Sequence, residues 1–280
     1  MALLRILWDG KPQVIKNEAF CELLNSALPS SNQSIQELLN WMDEQIRVQN
    51  NEVTREALSN VHGDWYEWLL SITAWNNFVT QPSSKLAISL PNVSQFVVAK
   101  LYTEELSNLI EDLKQKVLDA SSVQLITSNP DYVIIDGTLA REVITDLSEI
   151  SIVDVGSLSF LDNLYRQFIG RCSFNQIVGY ISVKTSLRPD RRLQLAHEGS
   201  LMKAIYTHLQ TRQWIINPPG LKYYGMSTRV GASDREALKT VATHSITTVY
   251  SLPQAAVDEV YQVNSVQEAQ EAFGQILNAL

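Results

Sequence analysis

Glu198 is an acidic residue at a position where the sequence pattern favours an apolar one. On the helix predicted for residues 189–211, with ~100° between successive residues, it lies within about 60° of five apolar side chains. These are Leu195, Leu201, Met202, Ile205 and Leu209. A buried carboxylate without a partner costs several kcal/mol or becomes protonated. Glu198 therefore needs a cation, which can be a metal ion or a lysine.

A lysine and a second carboxylate are expected close to Glu198. Strand alternation over residues 176–186 puts Ser182 and Lys184 on one face. Asp131 begins another strand directly after a proline that breaks any helix. Asp131, Lys184 and Glu198 can therefore converge at one end of a sheet. Each also has a simpler interpretation. Asp131 can be a turn residue, Lys184 a charge at the end of a strand, and Glu198 one half of a plain buried salt bridge.

Two carboxylates and a lysine are typical of metal-dependent phosphodiester hydrolysis. The carboxylates hold Mg²⁺, and the metal polarises the phosphate and lowers the pKa of a bound water. The lysine orients that water or offsets charge in the transition state. Paired carboxylates also cleave glycosidic bonds, but that reaction has no role for the lysine or for the arginines that follow it.

Basic residues are concentrated around this lysine. Residues 184–223 hold seven Lys/Arg and two acids, while the whole chain has a net charge of −8, which leaves −13 on the other 240 residues. A cationic stretch on an anionic body suits a protein with one face against phosphates. Arg188, Asp190 and Arg191 open the predicted helix, where two arginines and an aspartate could read guanine and cytosine in a major groove. Arg192 is predicted to contact a phosphate.

Composition sets the outer bounds. The chain has 280 residues, of which 45% are hydrophobic and 19% charged, a globular composition. Cys21 and Cys172 match no metal or disulfide spacing, which suits a reducing cytoplasm. The start of the chain has too short an apolar run for a signal peptide, and no segment reaches membrane-spanning length.

The chain is expected to form one domain, residues 1–280, with a mainly helical portion over 1–100 and a catalytic and DNA-recognition core over 101–280. The predicted fold class is α/β. Helices are predicted near Ser34, over 64–79, 103–120, 189–211 and 265–280. Strands are predicted within 123–136, 176–186, 221–230 and 242–252.

The spacing of these residues resembles a known family. It is similar to the motif of the PD-(D/E)XK restriction endonucleases that read sites with a CCGG core. In this sequence the motif consists of Pro130-Asp131, then Lys184 after fifty-two residues, then Glu198 after a further thirteen. The sequence looks most like the tetrameric type IIF enzymes that cut within purine-CCGG-pyrimidine. The resemblance covers roughly residues 62–265 and is most specific in "SVKTSLRPDRRLQLAHEGSLMKAIYTHLQTRQWIINPPG".

The resemblance implies roles for individual residues. Asp131 and Glu198 would be the Mg²⁺ ligands and Lys184 the catalytic lysine. Ser182 stands where the wider superfamily has its second acid. Glu67 would be a further acid near the metals, although a helical wheel puts it opposite a tryptophan stripe, where a solvated charge is also reasonable.

The resemblance also implies a DNA-binding assembly. Arg188, Asp190 and Arg191 match the readers of CCGG. The fold would be a restriction-endonuclease-like core, a mixed β-sheet flanked by helices. A palindromic target calls for at least a homodimer, and the similar tetrameric enzymes keep a tryptophan at the position of Trp214 between two dimers. Physical reasoning alone instead favours Trp214 as a core aromatic.

Cleavage would leave 5′-phosphates and four-nucleotide 5′ overhangs, and a separate DNA methyltransferase would protect the same sites. Three other interpretations stay open. They are a nuclease of DNA repair or transposition, a catalytically inactive DNA-binding protein, and a structural protein whose charge cluster is a salt-bridge network.

Overall fold

A five-stranded mixed sheet forms the centre of the protein. The computed structural model describes residues 3–7, 10–246 and 252–279. The strands of the sheet are β3 (Leu86–Ser89), β4 (Tyr132–Ile135), β5 (Ile177–Lys184), β6 (Lys222–Ser227) and β7 (Glu259–Gln262). They lie in the order β3-β4-β5-β6-β7, with antiparallel pairing from β3 to β5 and parallel pairing from β5 to β7. β4 and β5 are buried along nearly their whole length, as expected of strands covered on both faces.

The first part of the chain is mainly helical. A short hairpin of β1 (Leu4–Ile6) and β2 (Pro12–Val14) precedes α1 (Lys16–Leu23), α2 (Ile35–Gln49) and α3 (Arg55–Thr80). Ser34 and Thr54 cap α2 and α3 by accepting hydrogen bonds from backbone N–H groups, which fixes where these helices begin. The long α3 packs on β3, so this portion and the sheet share one hydrophobic core.

The middle of the chain carries three helices beside the sheet. They are α4 (Glu104–Ser121), α5 (Gly137–Val143) and α6 (Val155–Asn163). Asp136 and Asp154 cap α5 and α6 with their side chains. Short 3-10 turns cover Val98–Leu101, Leu164–Phe168 and Phe174–Gln176.

The helix that carries the candidate site residues is α7 (Pro189–Arg212). Pro189 stands in its first turn, where a missing backbone N–H has no consequence for helix formation. The helix packs against α4 and β6, and also against α8 (Ala232–Leu238) and α9 (Thr243–Ile246). The last element described is α10 (Val266–Ala279), which packs on α3. No helix in the described part of the chain is long and apolar enough to cross a membrane.

The predicted fold class, a mixed sheet flanked by helices with a helical N-terminal portion, is confirmed. The five predicted helices correspond to α2, α3, α4, α7 and α10. The strand predicted within 123–136 is shorter, because only Tyr132–Ile135 pairs with the sheet and Val123 and Ile126 are exposed. The strand predicted within 242–252 is wrong at Thr243–Ile246, which is helical, and residues 247–251 lie outside the described part of the chain.

Candidate active site and DNA-reading surface

Asp131 lies at the end of the sheet where β4 begins, one residue before that strand. The register pairs Tyr132 with Ile181, so Asp131 is opposite the last residues of β5. Its Oδ2 accepts three hydrogen bonds, from Ser182 Oγ at 2.9 Å, Val183 N at 2.6 Å and Lys184 Nζ at 2.9 Å. These contacts place Asp131, Ser182 and Lys184 together, as strand alternation predicts.

Lys184 forms a largely buried ion pair with Asp131. The Lys184 side chain is 14% exposed and that of Asp131 21% exposed. All three hydrogen bonds converge on Oδ2, and among the described residues no donor to Asp131 Oδ1 is found. One oxygen of this carboxylate is therefore held by the protein while the other can accept a further ligand.

Glu198 lies on the inward face of α7, as the helical periodicity predicts. It is 3% exposed, and Leu195, Met202 and Leu209 on the same helix are also buried. Its Oε1 accepts hydrogen bonds from Ser128 Oγ at 3.0 Å and Gln194 Nε2 at 2.9 Å. Its Oε2 accepts one from Tyr223 OH at 2.8 Å.

The partners of Glu198 are all neutral. No lysine, arginine or histidine within residues 3–7, 10–246 and 252–279 forms an ion pair with it, so the interpretation as a plain buried salt bridge is wrong. Neutral donors satisfy the hydrogen-bonding capacity of a carboxylate but leave its charge uncompensated. A cation beside Glu198 would supply that compensation.

Glu67 projects from α3 toward the same end of the sheet as Asp131. It lines a polar cleft together with Asp64, Asp131 and Asp162. Burial, and then the charge of Asp131, raise the pKa of the Glu67 carboxyl from 4.5 to about 8. The solvated-charge interpretation of Glu67 is therefore wrong, because its side chain lies in a cleft that it shares with Asp131 and with Trp68 of the tryptophan stripe.

The donor set fits a hard divalent cation. Carboxylate oxygens are the ligands such ions prefer, and Mg²⁺ in particular is held by one or two carboxylates while water and substrate phosphates complete its shell. The free Oδ1 of Asp131 and the uncompensated charge of Glu198 meet this description. Among the described residues, no group of three or more His, Cys, Asp or Glu side chains is placed so that it could hold a metal ion by itself. A cation here would accordingly keep positions for water or phosphate.

The start of α7 presents charged side chains to solvent. Arg188 and Asp190 are 65% and 64% exposed, and their closest side-chain atoms are 3.5 Å apart. Arg191 is 43% exposed, and it lies 3.9 Å from Asp190 and donates to Gln194 Oε1 at 3.2 Å. Exposed ion pairs are worth little free energy, so a base edge can displace these contacts.

The four other basic residues of the cationic stretch, Arg192, Lys203, Arg212 and Lys222, also lie against acids. Arg192 donates to Asp234 Oδ1 at 3.1 Å, which ties α7 to α8. Lys203 is buried and donates to Asp258 Oδ2 at 2.6 Å and to Ala255 O at 2.6 Å. Lys203 is therefore a structural cation. Its place in the cationic stretch suggests a phosphate contact, but its burial makes it unavailable to phosphates.

Trp214 lies on the surface just past α7. Its side chain is 90% exposed, and Ile216 beside it is also exposed. The interpretation of Trp214 as a core aromatic is therefore wrong. Its backbone has a φ of +54°, a left-handed conformation that bulky residues rarely adopt. Core packing therefore does not explain why a tryptophan stands at this position, and exposed apolar patches of this kind often mark interaction surfaces.

Sequence reasoning missed four residues that hold the site. Ser128, Gln194 and Tyr223 donate to Glu198. Gly199 lets α7 approach closely, since a Cβ there would lie 2.1 Å from Ala256 O. Gln194 could have been found from its i, i+4 spacing to Glu198, but the other contacts join distant segments and leave no sequence signal.

Comparisons with known proteins agree on one family. The protein-family model described as Cfr10I/Bse634I restriction endonuclease matches residues 10–279. The type II restriction enzyme Cfr10I of Citrobacter freundii is 47% identical over 240 residues, which is 85% of this chain and 84% of that enzyme. A solved structure of the Bse634I restriction endonuclease matches with a TM-score of 0.88 at 32% identity, covering 98% of this chain and 97% of that one. A structure of the type IIF restriction endonuclease Bse634I with cognate DNA matches with a TM-score of 0.88 at 31% identity over the same shares.

Proposed function

The chain belongs to the Cfr10I/Bse634I restriction endonuclease family, and on this premise we propose that it cuts both strands of DNA at palindromic sites with a CCGG core. The proposed site is R/CCGGY, cut to leave 5′-phosphates and four-nucleotide 5′ overhangs. The observation that carries the proposal is the 2.9 Å Asp131–Lys184 pair beside a buried Glu198 whose charge no described cation compensates.

Asp131 and Glu198 are the proposed ligands of a divalent cation, which we take to be Mg²⁺. When bound, the ion would polarise the scissile phosphate and favour ionisation of a water. Lys184 stands beside Asp131, where its ammonium group can orient the attacking water and offset negative charge on the phosphate. Ser182 donates a hydrogen bond to Asp131, and Glu67 lines the same cleft as Asp131.

The proposed reading surface is the start of α7. Arg188 and Arg191 would pair bidentately with guanine O6 and N7, and Asp190 would accept from cytosine N4. All three side chains are exposed, and within the described part of the chain they contact each other and Gln194. Arg192 is proposed to contact a phosphate, with its guanidinium fixed by Asp234. The relative Bse634I has been solved with cognate DNA, which supports DNA as the partner of this chain.

Assembly is the second part of the proposal. A palindromic site read by one helix per half-site requires two copies of the chain. We take each chain as a single domain and the active form as a homotetramer, with Trp214 between two back-to-back dimers. The 90% exposure of Trp214 supports this, because an exposed tryptophan is a typical anchor of an interface. In a cell, a methyltransferase of the same specificity would protect the cytoplasmic DNA.

The test of this function is digestion of a plasmid with mapped sites. The plasmid should carry ACCGGT, GCCGGC and TCCGGA, so that both the core and the outer base pair are examined. We expect cleavage only at the first two sites, only with Mg²⁺ present, and 5′-phosphate ends when the products are ligated and sequenced. Equal cleavage at TCCGGA would refute the outer specificity. Cleavage independent of CCGG would favour a nuclease of repair or transposition.

A further inference from the structure

One glutamine of α7 hydrogen-bonds to both a proposed base reader and a proposed metal ligand. Arg191 Nη1 donates to Gln194 Oε1 at 3.2 Å, and Gln194 Nε2 donates to Glu198 Oε1 at 2.9 Å. The three residues are spaced i, i+3 and i+7, so they follow one another along one face of the helix. The Arg191 side chain is 43% exposed and Glu198 is 3% exposed. The two hydrogen bonds therefore lead from the exposed start of α7 to the buried carboxylate.

A primary amide suits this position because its two ends have opposite roles. The amide oxygen accepts from Arg191 and the amide nitrogen donates to Glu198, so one orientation of the group satisfies both neighbours. An ionised carboxylate could not donate to Glu198, and an ammonium group could not accept from Arg191. Hydrogen bonds in series also polarise one another, so a bond accepted from Arg191 strengthens the bond donated to Glu198.

We propose that Gln194 couples base reading to metal binding, because it holds Glu198 in its cation-binding orientation when Arg191 is on its guanine. The inference rests on the proposed function, since it takes Arg191 as a base reader and Glu198 as a metal ligand. A guanidinium group has five N–H donors, and a bidentate pair with guanine uses two of them. A donor therefore remains for Gln194 while the base is read. Gln194 is a positioning residue, since it acts through Arg191 and Glu198.

The reading end of this link is held loosely in the absence of DNA. Besides Gln194, Arg191 has Asp190 as a neighbour at 3.9 Å, in an exposed ion pair that contributes little free energy. Pairing with guanine would fix Arg191, and through the oxygen of Gln194 it would also fix the amide nitrogen that faces Glu198. A wrong base leaves Arg191 unfixed, so the cation should be bound more weakly on non-cognate DNA.

The test is a double-mutant cycle of Gln194→Met with Arg191→Ala. Methionine keeps the length and the helix propensity of glutamine but lacks the amide. Arg188→Ala is the matched control, because Arg188 is a proposed reader of the same kind whose side chain pairs with Asp190. Two midpoints are measured for each protein with saturating ACCGGT duplex. One is the Mg²⁺ concentration for half-maximal single-turnover cleavage, and the other is the Ca²⁺ concentration that half-maximally raises the melting temperature of the complex, a readout independent of cleavage.

We expect Gln194→Met to raise both midpoints at least about tenfold, as is typical when a partner of a metal-binding carboxylate is lost. Arg191→Ala should raise them several-fold in the wild-type background but leave them nearly unchanged in the Gln194→Met background, because no link is left to break. Arg188→Ala should change them by the same factor in both backgrounds. An Arg191→Ala effect of equal size in both backgrounds would overturn the inference. A Gln194→Met protein with wild-type midpoints would overturn it too, even if its melting temperature or its cleavage rate fell at every metal concentration.

Ser128→Ala separates coupling from the simple loss of a donor to Glu198. Ser128 Oγ donates to the same oxygen, Glu198 Oε1, at 3.0 Å, but from the segment before β4. We expect Ser128→Ala and Gln194→Met both to raise the midpoints. Only Gln194→Met should also lower, by several-fold, the preference for CCGG over unrelated DNA in saturating Ca²⁺, measured by competition binding. Equal preferences in the two variants would reject the coupling.

Gln194→Ala takes the place of Gln194→Met in every comparison if the methionine variant does not fold, since alanine also lacks the amide and favours a helix. The controls also separate this inference from the function on which it rests. If the wild type neither cleaves in Mg²⁺ nor responds to Ca²⁺, the proposed function fails. A responsive wild type whose variants combine additively rejects only the coupling through Gln194.

Discussion

Replacing Glu67 with glutamine should stabilise the metal-free protein, and increasingly so as the pH rises. Burial and the charge of Asp131 raise the pKa of Glu67 in the folded protein from 4.5 to about 8. A raised carboxyl pKa means that the folded state binds more protons than the unfolded chain between these two values. Stability contributed by the protonated group is fully present below pH 4.5 and is lost as the pH rises through 8.

The size of this effect follows from linkage. With pKa values of 4.5 unfolded and about 8 folded, the loss is about 2 kcal/mol at pH 6 and roughly 5 kcal/mol at pH 8.5. Glutamine does not titrate, so the advantage of Glu67→Gln over the wild type should grow by about 2–3 kcal/mol between these two pH values. The growth of this stability advantage from pH 6 to pH 8.5 does not depend on packing, because any effect of the substitution on packing is the same at both pH values.

Urea denaturation in EDTA at pH 6 and pH 8.5, at one protein concentration, measures this difference. Glu44→Gln is the matched control, because Glu44 is exposed on α2, and it should shift stability by less than about 0.5 kcal/mol at either pH. A stability difference for Glu67→Gln that does not change with pH, or that shrinks as the pH rises, would refute the placement of Glu67 against the charge of Asp131.

Three further predictions concern cleavage, recognition and assembly. Asp131→Ala and Glu198→Ala should each abolish cleavage in Mg²⁺ while binding of a CCGG duplex, measured by gel shift, stays within a few-fold of wild type. Arg188→Ala and Arg191→Ala should each cost about 1–3 kcal/mol of preference for CCGG over unrelated DNA per lost bidentate pair, measured by competition binding. Trp214→Ala should convert a tetramer into a folded dimer, since interface tryptophans often contribute 2 kcal/mol or more. Sedimentation should show the mass halved with a cooperative thermal transition.

Each of these has a contradicting outcome. Cleavage within a few-fold of wild type by either carboxylate variant would remove that residue from the metal site. Equal weakening of specific and non-specific DNA by Arg188→Ala would make it a phosphate contact instead. A Trp214→Ala protein that stays tetrameric would place the interface elsewhere on the surface.

Much of the site could be predicted from sequence because its parts lie on regular elements. Helical periodicity put Glu198 on the inward face of α7, and strand alternation put Ser182 and Lys184 together beside Asp131. What surrounds them could not be predicted in this way. Tyr223 and Ser128 reach Glu198 from segments 25 and 70 residues away, and only the folded chain brings them into contact.

The errors have specific physical causes. The four-residue strands β3 and β7 are too short for a visible alternation. Residues 242–252 are rich in β-branched side chains, but Ser245 Oγ donates to Ala242 O and stabilises a helical turn instead. The helical wheel placed Glu67 in solvent because α3 was taken to have one buried face, whereas it contacts β3 and α10 as well as α1, α2 and α6.

Single-turnover cleavage of an ACCGGT duplex by the wild type and by Lys184→Ala tests the central claim most directly. The wild type should cut each strand after the purine when Mg²⁺ is added, and not in EDTA. Lys184→Ala should bind the duplex as tightly but cut at least about 100-fold more slowly, because it lacks the ammonium group beside the phosphate. Cutting by Lys184→Ala within a few-fold of wild type, or cutting by the wild type in EDTA, would contradict a metal-dependent site built on Asp131, Lys184 and Glu198.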